Sequence, residues 1–315
     1  MRHLVSMGEL LIDFIPNESG QPLSKVKSFS KMAGGAPANV SACFSKLGGK
    51  AYFMGQVGHD PFGNYLIDVL NENGVDIRYI SQTKLAKTSL AFVSLDHDGE
   101  RDFMFYRDPS ADQLFEPKQV EKSILEHAVL HFCSVGLKDY PLKHAHVEAI
   151  KQAKKFGSLI SFDPNLRFAL WENHDELRRT VLSFIPHAHI LKLSLDELYF
   201  LAETNHIDHA IKKLFMGSVK MILITDSKNG ATLYVNHLVY QVDAFHVDVV
   251  DTTGAGDAFI GAFLYQYALY ENHTHDYEKM LEFAAATAAL TVSNYGAIPS
   301  LPTLPLVMEF LKKNR

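Results

Sequence analysis

From about residue 125 onward, short apolar runs alternate with amphipathic ones. HAVLHFCSVG, GSLISFDPN, HAHILKLS and KMILITD read as buried strands. PLKHAHVEAIKQAKKFG, SLDELYFLAE and HIDHAIKKLF read as the helices between them. Repeated strand, helix, strand predicts an α/β fold with a mostly parallel central sheet and helices on both faces. On such sheets ligands bind at the carboxyl ends of the strands, so the residues just after each strand are where chemistry is expected.

The segment from about 88 to 107 has a different pattern. TSLAFVSL and RDFMFYR are β-rich runs joined by DHDGE, whose Asp98-Gly99 suits a tight hairpin turn. Together with the polar, turn-rich stretch from about 15 to 32, it predicts a small β-sheet lid inserted into the α/β body. No repeat, low-complexity tract or long linker is visible, so residues 1–315 are expected to form one domain with the lid hinged to it.

Composition narrows the function classes. With 315 residues, 47% of them hydrophobic, the chain can bury a large core. Its formal charge of -6 is spread without a block of one sign, which argues against a nucleic-acid stripe or a polybasic membrane anchor and leaves a small molecule as the expected partner. Glu9 and Asp13 interrupt the apolar N-terminus, which has neither signal-peptide architecture nor a membrane-length span, so a cytosolic setting is expected. Cys43 and Cys133 stand far apart in apolar segments and are expected to be buried, reduced thiols. The 16 histidines include several close pairs, but none has the carboxylate spacing of a helical metal site.

Two glycine-led helices carry the candidate chemistry. In Gly34-Gly35-Ala36-Pro37-Ala38-Asn39-Val40, the glycines let backbone approach a ligand, Pro37 suits a first helical turn, and Asn39 offers a donor and an acceptor. Val40, Cys43, Phe44 and Leu47 share one helical face, and Gly48-Gly49 end it. Asp13, in LLIDF, reads as the end of the first strand, where a carboxylate among apolar neighbours needs donors such as ligand hydroxyls. A flexible loop and a solvated strand-end aspartate are the plainer alternatives.

In DTTGAGDAF, Gly254, Ala255 and Gly256 open an apolar helix, so several amides face outward at the positive end of its dipole. Neither the Walker A lysine nor the third glycine of the dinucleotide fingerprint follows, which argues against a nicotinamide-dependent dehydrogenase. Asp257 would repel a static anion. Beside a phosphoryl group in transit, it can accept the proton of an attacking hydroxyl while the amides receive the charge developing on phosphate. It could equally be a first-turn carboxylate complementing the dipole.

GGAPANVSACFSKLGG and DTTGAGDAFIGAF resemble, in order and separation, the two signatures of the ribokinase, or PfkB, family of carbohydrate kinases. FMFYRDPSAD at 103 to 112 and SFDPNLRFALW at 161 to 171 resemble the fructokinases within it, and the similarity runs from about residue 5 to about residue 300. The resemblance implies a ribokinase-like α/β sugar kinase whose β lid closes over the sugar. Asp257 would be the base and the backbone of Gly254, Ala255 and Gly256 the anion hole. Asp13, Gly34, Gly35 and Asn39 would hold sugar hydroxyls, with Arg107, Asn165 and Arg167 also on the substrate. Thr225 and Gly230, in ITDSKNGATL, match the family's nucleotide loop, which Gly254 and Gly256 would adjoin.

The family often shows Asn-x-x-Glu near magnesium, where this chain has Ser194-Leu195-Asp196-Glu197. Glu197 would face magnesium through water, with Ser194 on the nucleotide side; the same four residues also spell a helix capping box. Asp251 and Thr253 lie where many relatives bind a monovalent cation, which implies potassium. The implied activity is ATP- and magnesium-dependent phosphorylation of a primary sugar hydroxyl, the 6-hydroxyl of fructose first. 2-Keto-3-deoxygluconate kinase, ribosyl-nucleoside kinase and a silent sugar or nucleotide sensor fit the same signatures. Apolar residues on the outer side of the lid hairpin could pair two lids in a homodimer or cover the sugar.

Overall fold

The computed structural model describes residues 1–18, 20–95, 101–270 and 275–314. The predicted turn at Asp98-Gly99 lies outside them. The N-terminal half runs β1 (His3–Met7), β2 (Leu11–Pro16), β3 (Phe29–Gly34), α1 (Ala36–Lys46), β4 (Ala51–Gly58), α2 (Pro61–Glu72), β5 (Asp76–Thr83), β6 (Leu90–Leu95) and β7 (Arg101–Tyr106). There follow β8 (Ala128–Cys133), α3 (Pro141–Lys155), β9 (Leu159–Asp163), α4 (His174–Phe184), β10 (Ile190–Ser194), α5 (Leu195–Ala202) and α6 (Ile207–Leu214). The chain closes with β11 (Met221–Thr225), β12 (Ala231–Val235), β13 (Leu238–Val242), α7 (Ala255–Leu269), α8 (Tyr277–Val292) and α9 (Leu304–Lys313).

Nine strands form one sheet in the order β13-β12-β11-β10-β9-β8-β1-β4-β5. All neighbours from β11 to β5 run parallel, and β12 and β13 add an antiparallel edge. Alternation along each strand feeds two cores. Leu4, Val129, Ile190 and Leu223 join residues of α1, α7 and α8 on one face. Val5, Leu130, Phe162, Leu191 and Leu193 join residues of α3, α4, α5 and α6 on the other. Helices therefore cover both faces, the arrangement that a parallel sheet requires. Among the described residues, no helix is long and apolar enough to cross a membrane.

Four strands form a second sheet, in the order β3-β2-β6-β7. Its β2 pairs antiparallel with β3 and parallel with β6, and β6 pairs antiparallel with β7. Phe14 and Phe92 stack 4.8 Å apart on it, with Phe29 and Phe62 edge-on to Phe14. One local expectation is corrected. LLIDF does not end the first strand: β1 stops at Met7, and Leu11–Pro16 already belongs to the second sheet, so Asp13 lies mid-strand there. The break falls at Gly8-Glu9, where the buried carboxylate of Glu9 separates two apolar runs.

Candidate functional site

The two glycine turns meet because α1 and α7 pack side by side. Small residues allow it: a Cβ on Gly261 would lie 2.9 Å from Cys43 Cβ, and Cys43 Sγ donates to the carbonyl of Ala258 at 3.4 Å. This brings the helix starts together, and Asn39 Nδ2 donates to Asp257 Oδ2 at 2.8 Å. Asn39 Oδ1 is buried without a hydrogen-bond partner among the described residues. Gly254 caps α7 at φ 77°, a left-handed geometry costly for any residue with a Cβ, and in the turn it makes the Ala255 amide donates back to the Thr252 carbonyl at 3.4 Å.

Two cavities flank that turn. A narrow recess of about 80 Å³ is lined by Asp13, Gly35, Asn39, Asn165, Arg167, Thr253, Gly254 and Asp257, and by Ile15, Val93 and Phe105 of the small sheet. A cleft of about 550 Å³ on the other side is lined by Thr225, Gly230, Ala255 and Gly256, with Phe245, Val249 and Phe259 among its apolar walls. The start of α7 thus touches both, Asp257 facing the recess and Gly256 the cleft. Burial raises the pKa of Asp257, while the Asn39 hydrogen bond and the charges of Lys192 and Arg167 pull it back.

Specific local contacts hold the other expected residues, of which Asn165 and Thr253 line the recess and Arg107 does not. Gly34 faces Leu11 across the β2–β3 ladder, just before the recess-lining Gly35. Arg107 is buried in an ion pair with Asp112, which also accepts from Ser110 Oγ at 2.5 Å, and it is absent from the recess lining. Asn165 adopts φ 48°, in the turn that follows β9. Ser194 and Glu197 form the capping box of α5: Ser194 Oγ accepts from the Glu197 amide at 3.2 Å, and Glu197 Oε2 accepts from the Ser194 amide at 2.9 Å. Glu197 Oε1 also accepts from the Leu166 amide at 2.6 Å, so one carboxylate ties α5 to the loop carrying Asn165 and Arg167. Asp251 accepts from Thr253 N at 2.9 Å and Thr253 Oγ1 at 2.6 Å, and from Gly296 N at 3.0 Å.

Three buried charges were not anticipated. Glu9 lines the recess and accepts from the Ala36 amide at 3.2 Å; burial pushes its pKa up to about 7, against the pull of Arg107. Lys192 and Asp163 form a buried ion pair at 3.0 Å. Leaving either charge of such a pair alone costs about 3–5 kcal/mol, so the two stay as a unit. The sequence did carry a signal, since ILKLS and LISFD each set one charge into an otherwise buried strand.

A family profile for the pfkB family carbohydrate kinases matches residues 1–304. The chain belongs to the PfkB family. Its relatives include "Probable fructokinase-2" of Arabidopsis thaliana, 45% identical over 314 residues that cover 98% of this chain and 95% of the relative. Among solved structures, fructokinase from Xylella fastidiosa with bound ATP superposes with a TM-score of 0.90 at 35% identity, covering 99% of this chain and 98% of that one. A fructokinase double mutant from Vibrio cholerae O395, in a fructose, ADP and potassium ion bound form, superposes at 0.89 and 32% identity, covering 99% and 98%. This PfkB chain is a sugar kinase by family, and its mixed α/β architecture matches those neighbours over nearly its whole length.

Proposed function

We propose that this kinase transfers the γ-phosphoryl group of ATP to the 6-hydroxyl of fructose. One observation carries the reading: the first turn of α7 separates a polar recess from a larger cleft, with Asp257 on the recess side and Gly256 on the cleft side. A hydroxyl seated in the recess and a phosphate reaching over from the cleft would meet at that turn. Asp257 accepts the hydroxyl proton as the oxygen attacks, and the amides of α7's first turn take up charge on the transferred group. Asn39 fixes the carboxylate through its 2.8 Å hydrogen bond. Asp13, Asn165 and Arg167 supply the polar wall for sugar hydroxyls, and Thr225 and Gly230 edge the nucleotide cleft. Names of relatives at 40–45% identity support fructose within the sugar class.

Glu197 is the carboxylate that fits magnesium through water, being at the carboxyl end of the sheet and within α5's first turn. Magnesium bound with the nucleotide would neutralise phosphate oxygens. The loop of Asp251 and Thr253 is our candidate for a potassium ion; unchanged activity after replacing potassium with a large organic cation would remove it. The small sheet acts as the lid of one domain, its Ile15, Val93 and Phe105 excluding water from the recess. On its edge strand, Met104 and Tyr106 are 47% and 55% exposed, a surface that suits lid-to-lid dimerisation; a monomer in sedimentation velocity would refute it. Free buried Cys43 and Cys133 suit a reducing, cytosolic setting. The direct test of the assignment is Asp257→Asn. It should keep fructose binding by calorimetry and lower kcat by about a hundredfold or more; near-normal turnover would refute the role.

A further inference from the structure

A charged pair lies beneath the turn shared by the two cavities. Leu191 and Leu193 of β10, and Ile160 and Phe162 of β9, pack into the core opposite α7. Alternation therefore places Lys192, midway along β10, and Asp163, the last residue of the adjacent β9, on the α7 side. Their side chains are 8% and 1% exposed, and Lys192 Nζ lies 3.0 Å from Asp163 Oδ2. Asp163 Oδ1 has no hydrogen-bond partner among the described residues. The same ammonium lies 3.0 Å from where a Cβ on Gly256 would stand, so the second residue of α7 is glycine where the lysine rises beneath it. Packing alone does not call for a charge here, since an unbranched apolar side chain would fill the space without the desolvation cost.

We propose that Lys192 is a positioning residue for phosphoryl transfer: held by Asp163 below Gly256, its ammonium supplies the fixed positive charge that admits an anionic phosphate beside the Asp257 carboxylate. The inference rests on the kinase reading above. In that step the sugar oxygen forms the new bond to the γ-phosphorus. The bond from phosphorus to the bridging oxygen breaks, its electron pair leaves with ADP, and the hydroxyl proton ends on Asp257. Lys192 neither gives nor takes a proton. It acts as preorganised charge, which costs no rearrangement at the moment of reaction.

Asp257 faces Asn39 and Cys43 from α1, Lys192 from β10, Arg167 from the loop after β9, Asp163 from β9 and Cys133 from β8. Lys192 and Arg167 are the cations of that set, and Glu197 adds a further carboxylate around Lys192. Removing the lysine charge should make Asp257 harder to ionise and move the acid limb of kcat/KM to higher pH. Removing the Asp163 charge leaves the ammonium unopposed and should move that limb to lower pH. Opposite shifts show that both charges reach Asp257, and kcat in the double variant, which keeps the packing without the pair's charges, separates a role in turnover from a purely structural one.

The test uses the full chain and three variants: Lys192→Met, Asp163→Asn and the double variant, which keeps the shape and removes both charges of the pair. Sugar-dependent ADP release is followed across pH, fructose affinity by calorimetry, and folding by thermal unfolding. Expected are a kcat lowered about tenfold or more in Lys192→Met and in the folded double variant, a fructose Kd changed less than about threefold, and opposite limb shifts in the two single variants. Wild-type kcat in the folded double variant, or limbs that do not part, overturns the inference alone. No sugar-dependent turnover in the wild-type chain overturns the kinase reading and this inference with it.

Discussion

As the proposed base, Asp257 has to stay ionised in a place that disfavours charge. Burial raises its pKa from the ordinary 3.8, and the hydrogen bond from Asn39 and two cations oppose that rise without cancelling it. Activity needing the ionised form should therefore fall on acidification at a higher pH than an ordinary aspartate would set. Asn39→Ala, which removes the donor, should move that limb to higher pH still; an unmoved limb would mean that the hydrogen bond does not act on the base. Glu9, also raised by burial, couples folding to pH. Its carboxyl titrates near 4.5 when unfolded and at about 7 when folded, so the folded state binds the proton more tightly. Stability owed to this group is complete below pH 4.5 and lost as pH rises to about 7. Glu9→Gln keeps an acceptor for the Ala36 amide and carries no charge. It should flatten that part of the urea-unfolding pH profile, by roughly 3 kcal/mol at most, and an unchanged slope would contradict the buried-carboxyl account.

The glycine-led starts of α1 and α7 border the two cavities, and they were legible in the sequence because each joins small residues, a polar first turn and an apolar helix. Gly254→Ala tests how much the turn matters. Its φ of 77° disfavours any Cβ, and that Cβ would lie 2.8 Å from the Cβ of Ala297. The variant should lose about 1–3 kcal/mol in urea unfolding, with kcat falling more than KM rises; equal stability and turnover would contradict the geometry. The four strands β8 to β11 were legible as apolar runs. Other elements were not, for reasons visible in their surroundings. β5, DIRYISQT, is a sheet edge with little to bury, so its residues lack a strong apolar pattern. β4, AYFMGQVG, is buried throughout yet includes Gly55 and Gln56, which break its apolar run. LLIDF points Asp13 to the first strand because it continues the apolar character of β1 across the break at Glu9. The Lys192–Asp163 pair has no spacing signature at all, since its partners come from different strands and meet only in the folded sheet.

At the level of the whole protein, two sheets divide the work: the large one aligns strand ends under the α7 turn, and the small one covers the recess. Val93 and Phe105 of the small sheet line the recess proposed to hold the sugar, so Phe105→Ala should admit water there. It should raise the KM for fructose and raise the share of ADP released without sugar phosphate formed. Unchanged coupling would mean that the small sheet does not seal the recess. Arg107, expected on the substrate, is instead held in its ion pair with Asp112. The most direct measurement is a coupled ADP-release assay with ATP and magnesium, run against fructose, tagatose, ribose, 2-keto-3-deoxygluconate, adenosine and aminoimidazole riboside. Turnover with fructose far above the no-sugar background and above every other acceptor is the predicted result; background-level release with fructose, or a clear preference for another acceptor, would contradict it.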